Sequence, residues 1–174
     1  MSAGPTDPAF LDVALRWLHA CLLAARDPDH DPAPLAAADQ ALLAAAELRP
    51  LPATLRLAAR LGLSHFELGV LLLCHAAELD PRITSLCADL QGEGRNYPSL
   101  AVALVALPDA SWDALPPSAP LRRFRLVEPV PHAALPTLQC PLRLDPRIAD
   151  ELRGRHALDE RLGASPQPAT DAPL

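Results

Sequence analysis

Few side chains in this 174-residue sequence combine the type and the spacing that chemistry needs. Glu78 and Asp80 are a close carboxylate pair, the raw material of general acid–base catalysis. Asp80, however, directly precedes Pro81, where it serves as a helix cap, and nothing nearby implies a polar pocket. His75 follows Cys74 in the most apolar stretch. A zinc site of the HExxH type wants a second histidine three or four residues on, and none stands there. The expectation for His75 is a partly buried imidazole with a hydrogen-bond partner. Asp27, Asp29 and Asp31 alternate like the start of a calcium loop, but Pro28 and Pro32 interrupt them and the later Gly and Glu are missing, so they read as a solvated acidic turn.

Cys21, Cys74, Cys87 and Cys140 show no CxxC spacing and read as reduced, structural thiols. All fifteen basic residues are Arg. Without Lys there is no Schiff-base chemistry and no GxxxxGK[ST] phosphate loop, so the expectation is that this chain is not itself an enzyme and holds no cofactor or metal. The net charge of −6 argues against coating nucleic acid by bulk attraction. Chemically uniform side chains recur in one place, Arg123, Arg125 and Arg143. These are either a solvated face that discourages edge pairing or a docking surface for acidic protein.

The elements that position these residues are mainly helical, because Ala and Leu dominate a chain with only 3% aromatic residues. Asp7-Pro8, Asp80-Pro81 and Asp145-Pro146 each mark a helix start. A first amphipathic helix spans about 8–25, with Leu11, Ala14, Leu15, Leu18, Cys21 and Leu22 in one stripe, and an Ala-rich helix follows to about Glu47. These read as an N-terminal helical appendage over 1–50. A short helix from Thr54 ends at Gly62, a left-handed cap. Ser64 and Glu67 have capping-box spacing, and Leu63 and Leu68 occupy the staple positions, so a core helix starts here and runs apolar to Leu79. Helices over about 81–90 and 98–107 follow. The run LRRFRLV alternates, which predicts a strand with Phe124 and Leu126 inward and Arg123 and Arg125 outward. A second strand, 141–144, places Leu142 and Leu144 inward and Arg143 outward. Trp112 and Tyr97, beside Pro-rich turns, are expected to anchor the core.

Three helices closed by a two-stranded antiparallel hairpin make a mainly α (α+β) winged-helix domain over 51–162, followed by a disordered linker at 163–174. In such folds the third helix reads bases, but here it would be PSLAVALVAL, with no charged or amide side chain to do so. Asp12, Arg16 and His19 interrupt the first apolar stretch, and His75 and Glu78 bound the run before them, so no membrane span is expected. The N-terminus lacks a basic region before an apolar stretch, which points to the cytoplasm.

The stretches LGLSHFELGVLLLCHAAELDPRI, YPSLAVALVALPDASWDALPPSAPLRRFRLVEP, PLRLDPRIADELRG and LDERL together resemble the winged-helix region that precedes the AAA+ module of ATPases associated with extracellular contractile injection systems. The resemblance covers about 61–162 and rests on the order and spacing of common helix and turn chemistry. It implies a non-catalytic adaptor joining an ATPase motor in cis to proteins of a phage-tail-like particle in trans. ATP and Mg would belong to a following AAA+ module, and the parent would be hexameric while this part alone is a monomer. The sequence departs from the pattern by ending before any nucleotide-binding motif, so no catalytic residue carries over. The alternative reading is a free-standing winged-helix nucleic-acid-binding regulator.

Overall fold

The structure, a computed structural model, describes residues 6–153. The linker expected at 163–174 and the LDERL segment lie outside the described residues. In order the chain forms α1 (Thr6–Arg26), α2 (Ala33–Ala46), α3 (Ala53–Leu61), α4 (His65–Leu79), α5 (Pro81–Gln91), α6 (Leu100–Ala106), the short helix α7 (Pro120–Arg123), β1 (Val127–Pro129), β2 (Leu142–Leu144) and α8 (Pro146–Leu152). Single 3₁₀ turns fall at Trp112–Ala114 and Thr137–Gln139.

The core is organised around α4. Ser64 Oγ accepts from the Glu67 amide at 3.1 Å and Glu67 Oε2 accepts from the Ser64 amide at 2.9 Å, which completes the expected capping box. From Phe66 to Ala76 every residue except Leu68 is buried, because α5, α6, α7, β2 and α1 all pack around this helix. Asp80 caps α5 through the Arg82 amide and Asp145 caps α8 through the Arg147 amide, as the Asp-Pro pairs predict. In each case the carboxylate also holds the arginine side chain, and that hydrogen bonding keeps its pKa below the usual range. Gly62 ends α3 at φ +68°, a conformation that favours glycine.

Asp7 behaves differently. It lies inside the first turn of α1, is buried, and its Oδ1 accepts from the Ala53 amide at 2.6 Å, so it caps α3 across the fold. The α1 stripe of Phe10, Ala14, Trp17, Leu18, Cys21 and Leu22 is buried in the same core as α4. Among the described residues α1 alone is long and apolar enough to cross a membrane by length and composition, and here that stripe faces α2, α4, α5 and α6. All four cysteines are buried free thiols. Burial pushes Cys21 up to about 12 and Cys87 to about 11, and raises Cys74 further, which leaves these groups poor nucleophiles.

Candidate protein-interaction surface at the wing

The wing is the antiparallel pair β1 and β2, with Val127 opposite Leu144, Glu128 opposite Arg143 and Pro129 opposite Leu142. Leu142 and Leu144 are buried and Arg143 points out, as the alternation predicts. The first strand corrects the sequence reading. Residues 120–123 are helical, Phe124 is 44% exposed, and the strand starts only at Val127. Pro120 sets the first helical turn, and Glu67 Oε1 accepts from the Leu121 amide at 3.3 Å, tying α7 to the start of α4. The chain leaves α7 through a Schellman turn: Leu126 N donates to Leu121 O at 2.9 Å and Arg125 N donates to Arg122 O at 3.0 Å, with Arg125 left-handed at φ +53°. Leu121 and Leu126 are both buried, which is the apolar contact that accompanies this turn. Leu126 therefore points inward as alternation predicts, but helical geometry carries Phe124 outward.

The three arginines consequently stand in three settings. The Arg123 guanidinium lies over the Phe124 ring, 5.5 Å from its centroid. Arg125 reaches Glu128 at 3.8 Å, an exposed pair worth at most about 1 kcal/mol. Arg143 stands opposite Glu128 in the ladder. The expected uniform cationic face is thus split by Glu128 between Arg125 and Arg143. Among the described residues neither Arg123 nor Arg143 has a carboxylate within salt-bridge distance, so both guanidinium forks are available to an incoming acid.

The third helix of the trihelical unit α4–α6 buries Leu100, Val102 and Ala103. Ser99 caps α6 through the Val102 amide at 3.2 Å, and α1, α4, α5 and the Thr137–Gln139 turn pack around it. Val105, at 69% exposure, is its main outward apolar group. The segment before α6 is held by amide chemistry that the sequence did not flag. Gln91 Oε1 accepts from Ser99 Oγ at 2.6 Å, Gln91 Nε2 donates to the Arg95 and Tyr97 carbonyls, and Arg95 Nη1 donates to Gln139 Oε1 at 3.0 Å. Arg95 is thereby engaged in pinning the wing loop to the turn before α6.

Glu78 pairs with Arg153 at 3.6 Å, while Asp80 is occupied by α5 and Arg82, so the two carboxylates do not work on a common site. Asp27 and Asp31 accept from the Asp29 and Ala33 amides in local turns. His75 corrects expectation: it is fully buried and neither ring nitrogen has a hydrogen-bond partner among the described residues. Burial, reinforced by Arg153, lowers its pKa to about 4. Among the described residues no group of three or more His, Cys, Asp or Glu side chains is placed to hold a metal ion. Trp112, expected in the core, is 65% exposed, and Tyr97 is half-buried.

No curated protein and no solved structure matches the chain. A family model described as "Winged helix domain, variant" matches residues 33–165, from the start of α2 through both wing strands and α8. A trihelical unit closed by a two-stranded wing is what that description requires, and the chain belongs to this family.

Proposed function

We propose that this domain is a non-catalytic adaptor, the winged-helix part of an AAA+ ATPase associated with a contractile injection system, joining the motor to partner proteins. The observation that carries this reading is α6. The helix that would read bases in a DNA-binding winged helix has no charged or amide side chain and packs against α1 and the wing loop. A fold that gives up its base-reading element keeps its surfaces for protein. The guanidiniums of Arg123 and Arg143 suit an acidic segment of the motor or of a particle subunit. Nucleotide and Mg chemistry belongs in this reading to a following AAA+ module, which also drives hexamer formation. The resemblance in order and spacing over 61–162 supports the specific assignment.

The test has two parts. The reading frame past Leu174 should continue into a GxxxxGK[ST] segment, and a stop codon there sinks the ATPase assignment. Arg123→Glu with Arg143→Glu should weaken capture of the partner at least tenfold without lowering the melting temperature. Full retention of binding makes the wing merely solvated, and a salt-resistant, sequence-selective DNA shift by the parent chain favours the regulator reading.

A further inference from the structure

Residues 131–140, between the two wing strands, are exposed except at Leu135, Leu138, Gln139 and Cys140. They bond mainly to one another. The Leu135 amide donates to His132 O, that of Gln139 to Pro136 O and that of Cys140 to Thr137 O, while the Cys140 thiol is turned toward the Leu135 and Pro136 carbonyls. Among the described residues a single hydrogen bond leaves the segment, from Arg95 Nη1 to Gln139 Oε1 at 3.0 Å. Arg95 is itself held from the end of α5 and the start of α6. Gln91 Nε2 donates to the Arg95 carbonyl at 3.1 Å and the Tyr97 carbonyl at 2.9 Å, and Gln91 Oε1 accepts from Ser99, the residue that caps α6. The Thr137–Gln139 turn lies against α6, where Leu138 is partly buried against the core. Cys140 is 3% exposed, yet it stands outside the contiguous core that holds Cys21, Cys74 and Cys87.

We propose that residues 131–140 form a strap latched over α6 by the Arg95–Gln139 bond, and that the strap opens as a unit while the core around α4 stays folded. Local opening is cheap where a segment has few buried apolar contacts and few hydrogen bonds to its surroundings. A strap bonded to itself keeps those bonds when it lifts. What it gives up is the latch and the Leu138 contact, and its base stays closed because Val130 N donates to Pro141 O at 2.7 Å and Leu142 N donates to Pro98 O at 2.9 Å. Opening bares the part of α6 that the turn covers. That helix has no charged or amide side chain, so the domain presents an apolar surface there only in the open state. The inference concerns the chain's own motion and does not depend on the ATPase reading.

The buried cysteines report the motion, since Cys140 lies in the strap and Cys21, Cys74 and Cys87 lie in the core. The full chain is treated with excess maleimide under native conditions, and the modification of each thiol is followed by peptide mass spectrometry. Cys140 should react at least tenfold faster than the other three. Gln139→Ala and Arg95→Ala, each of which removes the latch, should raise the Cys140 rate at least fivefold and leave the core thiols within twofold of the parent. Gln139→Glu turns the latch into a charge-assisted bond and should slow Cys140 at least threefold, an effect that about 1 M salt removes. A loop that merely fills space predicts no such reversal of sign. Gln139 lies in the strap itself, so its two variants carry the test should Arg95→Ala misfold. Modification of all four thiols at one rate, a Cys140 rate indifferent to the latch variants, or faster modification in Gln139→Glu overturns the proposal.

Discussion

The helices α2 and α4 are both apolar nearly all round, and their fates are opposite: α4 is buried from Phe66 to Ala76 with Leu68 the exception, whereas α2 buries Ala45 alone. The difference lies in how each is surrounded. The α4 helix is started by a reciprocal Ser64–Glu67 cap and has α1, α5, α6, α7 and β2 around it. Pro32, at the start of α2, makes no side-chain cap bond, and α2 has its main contact with α1 along one side. Apolarity alone therefore does not say whether a helix is interior. The number of elements that reach it does.

The largest effect that sharpens this contrast is a pair of Leu→Ala changes. Leu71 is fully buried in α4, and Leu71→Ala should cost about 3–4 kcal/mol in denaturant unfolding, transfer and cavity terms together. Leu43→Ala in α2 should change stability by less than about 0.5 kcal/mol. Comparable losses at the two sites would mean that α2 is covered in solution.

Next comes acid sensitivity, centred on α4. His75 carries a folded-state pKa lowered from 6.5 to about 4, so the fold favours the neutral ring. Its contribution is complete above pH 6.5 and is lost as the pH falls from there toward 4, a total of roughly 3 kcal/mol. Unfolding curves collected across that window should show a steeper decline for the parent than for His75→Leu. Parallel declines would show that the imidazole is hydrated or partnered.

A smaller loss, about 2 kcal/mol, is expected for Glu67→Ala, which strips acceptors from the Ser64 and Leu121 amides at once. If calorimetry finds it neutral, the Ser64 hydroxyl on the residue-67 amide and the Leu63 and Leu68 staple suffice to start α4. The smallest change runs the other way. Arg125→Gly relieves a left-handed arginine in the Schellman turn and should raise stability by about 0.5–1 kcal/mol, seen as a melting temperature a few degrees higher or less. A fall would mean that the Arg125–Glu128 pair matters more than the backbone.

Much of the fold was legible because its signals are local. Ser64 with Glu67, Asp80 before Pro81, Asp145 before Pro146 and Gly62 after α3 each satisfy or terminate a helix end within four residues, and all four behave as read. The inward Leu142 and Leu144 and outward Arg143 follow from the two-residue period of a strand. The wing's first half was not legible, since LRRFRLV fits alternation as well as a helical turn and only the Glu67–Leu121 bond and the Schellman exit decide between them. Trp112 was misjudged for a related reason: an aromatic beside Pro-rich turns has no periodic context that says which way it faces.

By itself the sequence determined the starts of α4, α5 and α8, the stop of α3, the bare third helix and the absence of Lys, because capping, periodicity and chemical inventory act at short range or none. Tertiary structure alone decided that Asp7 caps α3 rather than its own helix, that His75 is sealed with no partner among the described residues, that Arg143 stands opposite Glu128, and that α2 is left uncovered. Each of these depends on which distant element arrives beside a residue, and a residue's own neighbours in the chain carry no record of that.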